Sequence, residues 1–233
     1  MGLFWPSREE REERARVRHH HLAYAFSSYG FAYEPHGGEA LRGLLPFVVH
    51  STPDRYGLRA HGTLGDARIE VFEYSYDSTD AEGNRSTYTQ VLCAVQHPAV
   101  EGTASITPDA AQWGGVGAFL DALFWIPPFI FLKLIGAIHA ARNPDRTVGD
   151  REFDRLYYVR AASDEAARQA IPPALRHWLV RHGFRGSIEL RPGLILYSVA
   201  GARLSPEGVP VVLSYARPLL DAAMPPLRGH PMR

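Results

Sequence analysis

The 233-residue sequence predicts an α+β fold, and three observations carry that expectation. Runs rich in β-branched and aromatic residues recur between glycine, asparagine and aspartate turn signals. Stretches that begin on helix-capping residues and end on glycine or proline lie among them. The two kinds of element do not alternate strictly as strand–helix–strand, so a parallel α/β sheet is not expected.

The first element is a helix over Ser7 to Phe26. Ser7 and Glu10 are spaced as a capping box, in which each side chain satisfies a free backbone N–H at the helix start. Its first turns, Arg8 to Arg18, are almost wholly charged; a helix that polar all round projects or is laced by ion pairs. From Leu22, through Tyr24, Ala25 and Phe26, it turns apolar and should dock. Tyr56 to Leu64 and Arg68 to Tyr76 then flank Gly65-Asp66, a tight hairpin turn. Ser86 to His97 is a third strand, and the polar stretch Asp77 to Arg85, with Gly83-Asn84, is an exposed hairpin tip. These strands form an antiparallel meander in the N-terminal half. After Asn143-Pro144-Asp145-Arg146, a turn, the pattern is strand–helix–hairpin–helix. Leu156 to Arg160 is the strand. Asp164 opens a helix that is interrupted at Pro172-Pro173, resumes to His182 and stops at Gly183. Ser187 to Leu190 and Leu194 to Val199 pair around Arg191-Pro192-Gly193, where proline then glycine suits a type II turn. Ser205-Pro206 opens the last helix, and the proline-rich tail follows Met224. The expected organisation is a charged N-terminal helix (1–27), a β-rich half (28–112), an apolar insertion (113–142), a C-terminal half (143–224) that folds with the β-rich half as one domain, and a tail (225–233).

Composition excludes several function classes. Hydrophobic residues are 45 % and charged residues 21 % of the chain, the balance of a globular protein with a core. Formal net charge is zero, which gives no global attraction for nucleic acid or acidic lipid, and no nucleic-acid partner is expected. Lys133 is the only lysine; the scattered arginines are the signature of codon bias rather than of an anion site. Cys93 is the only cysteine, so multi-cysteine metal sites and intramolecular disulfides are out; within Val91-Leu92-Cys93-Ala94-Val95 it reads as a buried structural thiol. Met1 to Trp5 stops at Pro6 before a charged run and does not read as a signal peptide, and Pro6 spoils a myristoylation pattern at Gly2. Cytoplasmic residence is expected, with the cytoplasmic face of an inner membrane as its variant.

Several short pieces together resemble a known group. They are the N-terminal helix leading to Tyr29-Gly30-Phe31, and Val71-Phe72-Glu73-Tyr74-Ser75-Tyr76 followed by Gly83-Asn84-Arg85-Ser86-Thr87. Gly149-Asp150-Arg151-Glu152-Phe153-Asp154-Arg155 with Tyr158-Val159, and the C-terminal strand–helix–hairpin–helix, complete the set. On these pieces the chain resembles an uncharacterised group of bacterial α+β proteins, a domain of unknown function. The resemblance implies an α+β architecture in which both flanks fold together. It implies no catalytic residue and no cofactor. The sequence departs from the group in the length and apolar character of Val116 to Ala140.

The constellations that could carry chemistry each have a plainer reading. His19, His20 and His21 point about 100° apart on a helix and do not share the i, i+4 face that a metal wants. Gly114-Gly115-Val116-Gly117 lacks the Lys-Ser or Lys-Thr of a phosphate loop. Glu152 and Asp154, expected just before a strand, would share a face, but Arg151 and Arg155 beside them make an ion-pair cluster. Tyr74, Tyr76 and Tyr88 on one hairpin face suit cross-strand aromatic pairing better than base stacking. No serine elbow, zinc helix or kinase signature is present. Neither a catalytic residue nor a metal ligand nor a cofactor is expected.

The anomaly is Val116 to Ala140, interrupted only by Asp121, Lys133 and His139. A straight helix of that length would cross a bilayer core of about 30 Å, but Pro127-Pro128 breaks it, and a span would separate two halves expected to fold together. Three readings remain: a helical hairpin dipping into one leaflet, a docking surface for another subunit, or core. Half-helices apolar nearly all round fit burial in lipid or between chains better than an amphipathic core helix, and Trp113 and Trp125 suit a membrane interface, so the membrane surface leads. The residues expected to meet lipid or a protein partner are Leu3, Phe4, Trp5, Phe119, Leu123, Phe124, Trp125, Ile126, Phe129, Ile130, Phe131 and Leu132. The leading expectation is a non-enzymatic, peripherally membrane-associated protein acting as an adaptor. The alternative is a soluble homo- or hetero-oligomeric module with the same segment as its interface, and an enzyme of unmarked class stands third.

Overall fold

The computed structural model describes residues 7–44, 55–79, 85–109, 145–199 and 204–224. The elements, in chain order, begin with α1 (Arg8–Ser27), β1 (Ala32–Glu34), a 3-10 helix (Gly37–Leu44), β2 (Arg55–Leu64), β3 (Ala67–Thr79), β4 (Arg85–Gln96) and β5 (Ala104–Pro108). They continue with α2 (Arg151–Leu156), β6 (Tyr157–Arg160), α3 (Asp164–Ala170), α4 (Pro173–His182), β7 (Ile188–Arg191), β8 (Leu194–Ser198), α5 (Gly208–Ser214) and α6 (Ala216–Ala223). The fold is α+β. Its strands form one antiparallel eight-stranded sheet in the order β1-β2-β3-β4-β8-β7-β5-β6. The meander β1 to β4 is contiguous in sequence. β8 seals its edge, and β5 is threaded between β7 and β6.

Local chemistry explains the boundaries. The capping box is formed: Glu10 N–H donates to Ser7 Oγ at 3.1 Å and Ser7 N–H to Glu10 Oε2 at 2.8 Å. The first turns of α1 are exposed, and Leu22 and Phe26 are its buried anchors. Tyr24, expected to dock with them, points outward and is 76 % exposed. In the β2–β3 turn Leu64 pairs with Ala67, and Gly65 takes a positive φ of 65°, which only glycine adopts without strain.

Three boundaries differ from the sequence expectation. Asp77, Ser78 and Thr79 do not belong to a hairpin tip: they extend β3 and pair with Thr87, Ser86 and Arg85. The tip itself lies outside the described residues. Glu152 and Asp154 are in α2, not in an extended run, because the Asp150 side chain accepts from Phe153 N–H and caps a short helix there. The last helix is two helices. Pro218 has no N–H for the Ser214 carbonyl and its ring crowds that group, so the helix breaks at Ser214–Tyr215.

One face of the sheet is packed by α1 to α6. Its main cluster takes Ile69, Val71, Cys93, Ile195 and Tyr197 from the strands and Leu22, Phe153, Leu179, Val212 and Leu219 from the helices. Two buried tyrosines tie helices to strands. The Tyr157 hydroxyl donates to the carbonyls of Leu179 and Phe184, 3.0 Å from each, across the left-handed Gly183 that ends α4. Tyr197 donates to Val212 O. The opposite face carries a second cluster.

Candidate functional site

On that second face the central strands present Phe72, Tyr74 and Tyr76 from β3, Leu92 and Ala94 from β4, and Leu194 and Leu196 from β8. Register puts them together: Phe72 pairs with Leu92, Tyr76 with Tyr88, Ala94 with Leu196, and antiparallel partners share a face. Among the described residues, the 3-10 helix contributes the buried Leu41 and the partly buried Leu44. That helix sits close because Gly38 lies against Gly57: a Cβ on Gly38 would come within 2.6 Å of the Gly57 carbonyl oxygen. Arg42, one turn on, lies over the Tyr56 ring, 5.0 Å from its centroid.

The three tyrosines do share a face. Tyr76 and Tyr88 stack at 5.5 Å and 22°, and the Tyr74 and Tyr76 ring centroids are 6.4 Å apart. Tyr74 donates to Gln90 Oε1. Burial pushes the Tyr74 and Tyr76 hydroxyls above the ordinary tyrosine value, so both stay protonated.

Charge borders this apolar centre on both sides. Glu70, buried, accepts from Arg59 Nε at 2.8 Å, lies 3.0 Å from an Arg68 guanidinium nitrogen and receives Gln96 at 3.4 Å. Arg59 also reaches Glu34 at 3.4 Å. Beyond β8, Glu189 of β7, buried as well, accepts from Arg191 at 2.5 Å. The face has aromatic and aliphatic bulk, protonated phenols and paired charges.

The other candidates resolve individually. His19 turns from His20 and His21 toward Tyr33, with its Nδ1 2.5 Å from the phenolic oxygen, and the His36 ring lies 6.0 Å away. Burial first, then the Arg18 and His36 charges, lower the His19 pKa against a raising effect of Glu73; burial pushes Tyr33 up to about 12. The His19 ring nitrogen and the Tyr33 hydroxyl share this one hydrogen bond. Among the described residues no three His, Cys, Asp or Glu side chains converge as metal ligands would. Asp154 is an acceptor for Val148 N–H at 3.0 Å and Gly149 N–H at 3.1 Å, which holds the chain entering α2. Cys93 is fully buried and burial pushes its thiol up to about 12, as a structural thiol requires. An open groove between α1 and residues 204–206 is lined by Arg14, Arg18, His21 and Ser205; Arg18 there is bound to Glu73 at 2.5 Å.

Leu3, Phe4, Trp5, Phe119, Leu123, Phe124, Trp125, Ile126, Phe129, Ile130, Phe131 and Leu132 lie outside the described residues, as do the glycines 114–117 and the inserted hairpin. No described helix is long and apolar enough to cross a membrane. The second face was missed from sequence, although a signal for it exists. Val91 to Val95 and Leu194 to Tyr197 are unbroken apolar runs, and strands of that kind are buried on both faces.

No family model and no curated protein matches the chain. The fold is similar to that of the mycobacterial trehalose monomycolate transport factor A, TtfA, known from a crystal structure. The likeness has a TM-score of 0.54 at 13 % identity and covers 92 % of this chain and 99 % of that one.

Proposed function

We propose that this chain is a non-enzymatic accessory protein, an adaptor that works at a membrane surface. The observation that supports it is the fold shared over nearly the whole chain with a protein named a transport factor. The described residues fit that reading: the polar clusters around Glu70, Asp154 and His19 are engaged within the structure, and none pairs a nucleophile with a base at an open site. Membrane contact is assigned to Val116–Ala140, with Leu3, Phe4 and Trp5 as a second weak anchor, since stable attachment takes two signals.

Flotation of the intact purified chain with phospholipid vesicles tests this reading. The chain is expected in the vesicle layer, and alkaline carbonate is expected to strip it from cell membranes. A chain that stays wholly in the dense fraction overturns the membrane reading; one that does so as an oligomer by light scattering supports the alternative, in which the same segment joins subunits.

A further inference from the structure

We infer that Arg18, His19, Tyr33, His36 and Glu73 form a latch that fastens the charged arm of α1 to the sheet and loosens in acid. The inference goes beyond the adaptor reading and does not rest on it. The arm, Ser7 to Val17, is exposed. Among the described residues its hydrogen bonds and ion pairs stay inside the helix: Ser7 with Glu10, Arg8 with Glu12, Arg16 with Glu13. The apolar anchors Leu22 and Phe26 begin only after it. Between arm and anchors, Arg18 and His19 make the polar ties to the body. Arg18 reaches Glu73 of β3 at 2.5 Å and the Leu204 carbonyl at 3.1 Å. The His19 ring nitrogen meets the Tyr33 hydroxyl of β1 at 2.5 Å.

The latch crowds basic groups. His19 faces Arg18 on its own helix, the Tyr33 phenol on β1, the His36 ring 6.0 Å away in the turn after β1, and the Glu73 carboxylate on β3. The one carboxylate is already held by the Arg18 guanidinium. A proton added to His19 therefore sets a second cation beside Arg18 and, once His36 charges, a third. Burial first, then the Arg18 and His36 charges, oppose that proton while the arm is docked. Tyr33 gives no counter-charge, because burial pushes its hydroxyl up to about 12.

Detaching the latch gives the His19 ring water and distance from His36, so proton binding and opening favour each other. The sign follows from the lowered value in the docked state. The latch holds above the ordinary histidine value of 6.5 and loosens as pH falls below it. His21 attracts Glu207 when charged, and Leu22 and Phe26 are fully buried. Beyond the latch α1 thus stays seated, and the movement is confined to the arm.

Val17 lines the groove between α1 and residues 204–206 and is 43 % exposed, so a probe there senses the arm. Cys93 is buried, which leaves a nitroxide on Val17→Cys as the single label of the native full chain. Its electron paramagnetic resonance spectrum is recorded in buffer alone from about pH 8 to about pH 5, the range in which histidine titrates. A mobile component is expected to grow reversibly as pH falls, at most about tenfold per pH unit for one linked proton. With His19→Gln added, the component should stay at its neutral-pH level. With His36→Gln instead, its growth should be smaller, because less repulsion opposes the proton in the docked state. A spectrum that does not change with pH, or a change that survives His19→Gln, overturns the inference. So does labelling of Cys93 in the unsubstituted chain at the acid end by a dipyridyl disulfide, since the whole fold then opens rather than the arm. If His19→Gln fails to fold at neutral pH, the His36→Gln comparison decides, and undiminished growth there overturns the inference.

Discussion

The hydroxyl of Tyr197 donates to the carbonyl oxygen of Val212 across 2.7 Å, joining the strand that seals the meander to the last turn of α5. Carbonyls in a helix's last turn run short of N–H partners, and this one finds its partner in a buried phenol. Tyr197→Phe should cost about 1–3 kcal/mol, because the carbonyl is left dry and unpaired. Urea unfolding should show a lower midpoint at unchanged slope; an unchanged midpoint would mean that water reaches the site.

The single thiol gives a reporter that needs no substitution. Cys93 is fully buried with its pKa pushed up to about 12, and the thiolate is the reactive form. The native chain should give no thiol signal with an aromatic disulfide reagent at pH 8, and one thiol per chain in denaturant. Rapid labelling of the native protein would contradict the sheet register that places Cys93 opposite Tyr197.

Glu70 collects three donors on the second face. Glu70→Ala should cost roughly 3 kcal/mol, as expected for one partner removed from a buried pair. Adding Arg59→Ala should recover part of that loss in a double-mutant cycle. Strict additivity would show that Arg59 and Glu70 do not interact.

His19 titrates below the ordinary histidine value when folded. The unfolded chain therefore holds more protons in the interval between the lowered value and about 6.5, and stability rises with pH across it. The contribution is fully present above about 6.5 and fades as pH falls through the folded value. His19→Gln should flatten that part of a stability–pH curve; an unchanged slope would assign it to another group.

Gly38→Ala tests the seat of the 3-10 helix. Its Cβ would meet the backbone of Gly57 at 2.6 Å, and overpacking of this kind costs about 1–3 kcal/mol. An environment-sensitive apolar dye should then bind more strongly, because Leu41 leaves the Phe72–Tyr74 patch. Unaltered stability and dye binding would show that the helix shifts without loss.

Elements with strong local signals were legible in the sequence. The Ser7–Glu10 cap, the Gly65 and Gly193 turns and the αL stop at Gly183 all stand where spacing placed them. β1 and β5 escaped notice because three to five residues carry too little periodicity. The helix α2 was hidden because six residues rich in charge show no apolar stripe. The second face was obscured for a different reason. In β3, Ile69 and Val71 point to the helices while Phe72, Tyr74 and Tyr76 point away, so neither side reads as polar, and a period-two pattern gives no hint of which side is covered by what.

The threading of β5 between β7 and β6 governs how the molecule can be born. When the ribosome has released the first 109 residues, β1 to β4 can zip together, but both neighbours of β5 and the partner that closes β4 are still unsynthesised. The nascent meander thus waits with an open hydrogen-bonding edge at β4 until β8, some hundred residues later, arrives. Pairings that distant in sequence are slow to form. A translational pause or truncation between residues 109 and 188 would therefore leave a sticky half-sheet, and the chain should depend on chaperone protection during that window more than its final architecture suggests.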